Sequence, residues 1–252
     1  MNEKLSRPQF NQMDTTEKQT LMESLAARYN MTFLDLHTFD RWGQSSTTGI
    51  FEKDGRKFVF VPGDTVTLGW EQFAVGLNQE SREELEYLFR EWEMEPQNPE
   101  EMIRESMAPV RQAAIGPMLV GRELEELCWE PVKMDDPRLT AHPDWLRQFR
   151  DFAWSDSSSL TLHQSARIER TEKGFQICIY NRTDYDALLA MLQKQGFSLP
   201  TADEWAYLCG GGCRTLFPWG DGLDYSMRLR WFEDMDEDEN RPYDMEEPNF
   251  FG

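Results

Sequence analysis

Strand-like and helix-like patterns interleave along this chain without a regular βαβ rhythm, which favours an irregular α+β domain over a wound parallel sheet. The helical stretches are plain. From Asp14 to Tyr29, Leu21, Met22, Leu25, Ala26 and Tyr29 share one face, with Asp14 or Thr15 placed to cap the first turn. Ser81–Glu95 carries Leu85, Leu88, Phe89 and Trp92 at the same spacing, and Asn98-Pro99-Glu100-Glu101 opens another short helix. Pro143–Trp154 aligns Trp145, Leu146, Phe149 and Phe152, and Thr183 opens a helix with Leu188, Leu189, Met191 and Leu192 that Gly196 closes.

The strands announce themselves through their turns. Lys53-Asp54-Gly55-Arg56 supplies the positive φ angles a tight hairpin needs, so Gly49–Glu52 and Lys57–Val61 are expected to pair. Gly174 does the same between strands expected over Leu160–Arg170 and Phe175–Tyr180, and Val110–Val120 is extended in character. Thr201-Ala202-Asp203-Glu204 has the spacing of a capping box: the threonine oxygen accepts from the third helical amide while Glu204 reaches back. Pro200 keeps that helix from extending backwards.

Charge narrows the partners. Forty-six acidic against 26 basic residues among 252 give a formal charge of −20, which opposes nucleic acid and anionic membranes alike. Met1–Asp14 has no apolar run of signal-peptide type and no later stretch is long enough to span a bilayer, so a cytoplasmic location is the default expectation. The four cysteines, Cys128, Cys178, Cys209 and Cys213, are too few for a disulfide scaffold and are expected to be free thiols.

Gly196-Phe197-Ser198-Leu199-Pro200-Thr201-Ala202-Asp203-Glu204-Trp205-Ala206-Tyr207 resembles the "G-x-R-L-P-T-E-A-E-W-E-Y" signature of the formylglycine-generating-enzyme (sulfatase-modifying factor) family. Gly210-Gly211 followed by Phe217-Pro218-Trp219-Gly220-Asp221 resembles its "R-G-G … Y-P-W-G-D" continuation. Upstream, Phe58–Gly69 is similar to the family's opening "F-V-x-I-P-G-G-T-F-x-M-G", and Arg111–Arg122 to its "V-x-V-x-P-F-x-I-G-x-Y" strand. Asn249-Phe250-Phe251-Gly252 resembles the start of "N-x-F-G-L-Y-D-M-x-G-N-V-x-E-W". Met1–Ser46, Glu71–Ser106 and Glu125–Gln176 have no counterpart in the pattern.

The resemblance implies a C-type-lectin-like domain over residues 46–252, with a helical extension over 1–45 and a helical insertion near 71–108. In the family, the residues after the last matched motif supply calcium ligands and the paired cysteines that bind copper and oxidise a substrate cysteine to formylglycine. No match to those positions is found here. The expectation is therefore a non-catalytic or accessory relative that binds a protein or small ligand through its loop face, since fold alone does not transfer activity. The alternative is an incomplete oxidase acting on a protein cysteine, and a third reading is a structural subunit of a larger assembly.

The candidate contacts are Trp219, Asp221, Arg228, Arg230 and Trp231, an aromatic and arginine group of the kind that dominates interface hot spots. By the resemblance, Trp205 and Trp219 are expected inside the loop core. No catalytic residue is assigned, because no nucleophile-base order or phosphate-binding glycine loop stands out. His37, His142 and His163 are isolated from other ligand types, and the Cys209/Cys213 pair lacks two further ligands, so no metal or other cofactor is expected there. Asp234, Asp236, Asp238 and Asn240, within the acidic segment 233–247, alternate like half a calcium loop. Glu239 and Met245 replace the glycine and glutamate such a loop needs, which leaves weak calcium binding as the minority reading.

Overall fold

The computed structural model describes residues 5–41, 43–93, 99–123, 127–222 and 251–252. Arg228, Arg230, Trp231, the acidic segment 233–247 and Asn249-Phe250 lie outside the described residues. The chain is α+β with antiparallel sheets and forms two compact units, Met1–Glu123 with Pro200–Gly252, and Leu124–Leu199. Residues 46–252, expected as one domain, are thus shared between the two. Among the described residues, no helix is long and apolar enough to cross a membrane.

The first unit opens with helices α1 (Arg7–Gln12) and α2 (Thr15–Tyr29), the second started by a capping box between Asp14 and Glu17 and ended by Asn30 in the left-handed region. Strands β1 (Thr32–Arg41), β2 (Gln44–Lys53) and β3 (Arg56–Val61) follow as two successive hairpins, with β4 (Asp64–Leu68) after them. Helices α3 (Gln79–Glu91) and α4 (Pro99–Ser106) come next, then β5 (Arg111–Ile115), which pairs β4, and β6 (Met118–Gly121), which pairs β3. The main sheet has the order β1-β2-β3-β6. Alternation along β3 and β5 sends Val59, Val61, Ala113 and Ile115 into a core with Phe39, Ile50 and Leu68. Helix α2 lies close on β2 because Gly49 has no side chain: a Cβ there would stand 2.5 Å from the Met22 sulfur.

The strand β1 corrects the expectation of a helical extension over residues 1–45. Its polar positions Asp35, His37 and Asp40 disguise it, and a bulge between Phe33 and Asp35 breaks its period.

In the second unit, β7 (Trp129–Val132) precedes α5 (Pro137–Thr140) and α6 (Pro143–Phe152). Strands β8 (Ser159–Leu162), β9 (Ala166–Thr171) and β10 (Gly174–Tyr180) then form a meander, giving the order β7-β10-β9-β8. Phe149, Phe152 and Leu139 pack with Ala166, Ile168, Ile177 and Ile179 on one face of this sheet. The strand expected over Leu160–Arg170 is two strands, because His163 and Gln164 both take positive φ (49° and 50°) and reverse the chain. Helix α7 (Tyr185–Gln195) is capped by Asp184 and ended by Gly196 at φ 83°.

Candidate functional site

Helix α8 (Ala202–Gly210) returns the chain to the first unit, and both arms of its capping box form: Glu204 N–H donates to Thr201 Oγ1 at 3.2 Å and Thr201 N–H donates to the Glu204 carboxylate at 2.8 Å. Two left-handed glycines, Gly211 (φ 58°) and Gly212 (φ 72°), stop it. At Gly212 a Cβ would stand 2.9 Å from Arg7 and 3.2 Å from the Tyr207 ring, so only glycine passes there without displacing neighbours. Tyr207 is fully buried against Phe251, ring centroids 4.9 Å apart, and burial pushes its pKa up to about 12 despite the nearby Arg7 guanidinium. The hydroxyl is held neutral. Nearer the start of α8, Arg111 contacts Asp203 through two nitrogens at 2.6 and 2.8 Å, tying the helix to β5.

Beyond the glycines the chain makes a small knot. Arg214 donates to the carbonyls of Thr67 and Gly69 at 3.0 and 2.9 Å. Phe217 and Gly220 form an isolated antiparallel bridge, and the rings of Phe217 and Trp219 stack at 4.9 Å and 4°. Trp219 Nε1 donates to the Gly222 carbonyl at 3.2 Å.

Asp221 holds this turn to a loop nearly 150 residues away. Its side chain is 2% exposed, one oxygen accepting from Leu216 N–H at 2.9 Å and the other from the N–H groups of Val75 and Gly76. Three amides aimed at one carboxylate replace the water it loses, which is the condition for burying a charge. The loop it grips, residues 69–77, is anchored at its start by Trp70, 4% exposed and edge-on to Phe73 at 5.1 Å. Loop 69–77 and turn 214–222 are therefore held together in one loop face of the first unit.

The structure brings Trp219 and Asp221 together in this face, with Trp219 half-buried and Asp221 turned inward, its carboxylate committed to the loop rather than to solvent. Trp205, expected inside the core, is 52% exposed, because α8 turns Tyr207 and not Trp205 inward. The binding partner of Asp221, loop 69–77, carries no motif in the sequence, and the only available signal was the aspartate of the Trp-Gly-Asp turn.

Chemistry at this face is sparse. The Cys213 thiol accepts from Gln44 Nε2 at 2.9 Å and donates to the Pro218 carbonyl at 3.6 Å, so it serves the turn, while Cys209 is exposed; all four cysteines are free. His37 packs on Phe39 and His142 stacks on Trp145, each on its own element. Among the described residues, no group of three His, Cys, Asp or Glu side chains is placed to hold a metal ion. No family model matches the chain, and neither does any curated protein or solved structure.

Proposed function

We propose that the chain is an accessory binding protein of the formylglycine-generating-enzyme-like kind, with a C-type-lectin-like first unit whose loop face receives a protein or small-molecule ligand. The observation that carries this reading is Asp221. A buried carboxylate with three backbone donors ties two loops to each other, and loops fixed in advance lose little conformational entropy on binding. The stacked Phe217 and Trp219 present a half-buried aromatic surface at that face, the residue type that anchors recognition. The capping box of α8, its glycine stop and the Trp-Gly-Asp turn are the parts the family signature would require for this scaffold.

The reading predicts binding without oxidation. With a partner recovered on the full-length chain, amide exchange slows in residues 69–77 and 214–222, and Trp219→Ala weakens capture about tenfold or more while the far-ultraviolet spectrum stays unchanged. Protection confined to other surfaces contradicts it. Copper-dependent oxygen uptake with a cysteine peptide is expected to stay at background, and uptake above background would replace the binding reading with an oxidase.

A further inference from the structure

The negative charge of this protein is unevenly spread. Among the described residues, 69–108 hold ten acidic and three basic side chains, whereas all the others together hold 22 and 19. That one segment opens with the loop that Asp221 grips and continues through α3 and α4, which carry eight glutamates against three arginines.

Both helices start at the loop face. Helix α3 follows directly on loop 69–77, where Asn78 caps it by accepting from Ser81 N–H at 2.8 Å. Turn 214–222 closes on that start: a Cβ at Gly222 would stand 3.1 Å from the Asn78 and Ser81 side chains. Helix α4 is tied to the middle of the loop, with Phe73 N–H donating to Glu100 at 3.3 Å and Arg104 donating to the Glu71 carbonyl at 2.8 Å. The cations nearby are committed to main chain: besides Arg104, Arg90 donates to the Glu86 carbonyl, and Arg214 to those of Thr67 and Gly69. Glu100 aside, no glutamate of α3 or α4 forms an ion pair among the described residues. Glu80, Glu84 and Glu101 are exposed, and within the loop Val75 is 82% exposed.

From this distribution we infer that the loop face receives a basic segment of a partner protein, its lysine or arginine side chains meeting the glutamates of α3 and α4 while an apolar neighbour covers Val75. The inference rests on the loop-face reading above and adds the partner's charge. A negative field concentrated on the elements around one face steers a cationic partner to it and turns anionic ones away. The helix starts bring positive dipole ends here, yet Glu80, Glu100 and Glu101 already occupy the first turns, so a free anion gains nothing.

The probe is a short fluorescein-labelled peptide of lysines flanking a leucine, with its glutamate-for-lysine counterpart, titrated by anisotropy against the full chain at about 50 mM salt. The lysine peptide is expected to bind, to slow amide exchange in residues 69–77 and 214–222, and to weaken roughly tenfold at about 500 mM salt. Combining Glu80→Gln, Glu84→Gln and Glu101→Gln is expected to weaken binding about tenfold with an unchanged far-ultraviolet spectrum. Combining Asp156→Asn, Glu172→Gln and Asp186→Asn, in the second unit, changes it by less than about twofold. Equal losses in the two triple variants mean attraction to overall charge and overturn the proposal, as does a lysine peptide that does not bind. If the glutamate peptide instead protects residues 69–77 and 214–222, the loop-face reading survives and the basic partner is rejected.

Discussion

The two units are both antiparallel sheets backed by helices, yet they treat polar groups in opposite ways. Every buried polar or charged residue among the described ones, Lys18, Thr48, Ser81 and Asp221, belongs to the first unit. The second unit's charged residues all keep some exposure: Arg138 forks onto Glu130 at 2.8–3.2 Å and holds Asp136 as well, and Arg170 donates to the carbonyls at the end of α6 while lying over Phe152 and Phe175. The connectivity differs in the same sense. The second unit's sheet is largely a meander of sequence neighbours, whereas the first closes β3 onto β6 across residues 62–117 and completes its core with Tyr207 and Phe251. Local pairing needs few directional contacts to choose its register, while long-range closure gains from buried polar contacts that only one arrangement satisfies.

The sharpest way to break this contrast is Asp221→Ala. It strands the amides of Val75, Gly76 and Leu216, at a cost of about 2–4 kcal/mol given that part of the loop can turn to water. The loss is expected in the first unit, read by residue-resolved amide exchange, with protection of β9 and β10 unchanged.

Lys18→Met sharpens it with the opposite sign. The Lys18 ammonium donates to the Thr47 carbonyl at 3.0 Å and lies over the Phe10 ring at 4.6 Å, and no carboxylate pairs with it among the described residues. Burial lowers its pKa below 10.5. An apolar side chain of similar length is expected to be neutral or to stabilise by up to about 1 kcal/mol in urea denaturation at pH 7. Because the unfolded chain holds this proton more tightly, the wild type gains on the variant as pH rises toward 10.5.

In the second unit the response lies at the acid end and is smaller. The Arg138 and Asn181 hydrogen bonds hold Glu130 down to about 2, and Arg138 lowers Asp136 as well. Their stabilisation is present above the ordinary carboxylate range and is lost as pH falls from about 4.5 toward 2. Arg138→Met is expected to flatten that segment of the stability profile while leaving neutral-pH stability nearly unchanged, since exposed pairs contribute little.

Much of this architecture was legible in the residues. The glycine stop of α7, the capping box of α8, the Asp54-Gly55 hairpin and the stripe of α6 act through near neighbours, so short windows of sequence contain them, whereas α7 starts from Asp184 one residue beyond the expected Thr183. What escaped depends on distance or on unmarked backbone. The reversal at His163-Gln164 has no glycine or proline to signal it, and β7 hides behind Pro131. Trp205 and Asp221 were both visible as motif residues, but which of them turns inward is decided by β5 and by loop 69–77, over 90 residues away.

The rigidity of the loop face rests on Asp221, and amide exchange of the wild-type chain tests it most directly. The N–H groups of Val75, Gly76 and Leu216 are expected to exchange as slowly as those of β3 and β5, and to accelerate together in Asp221→Ala. Fast exchange at these three amides in the wild type, with the strands still protected, would contradict the account.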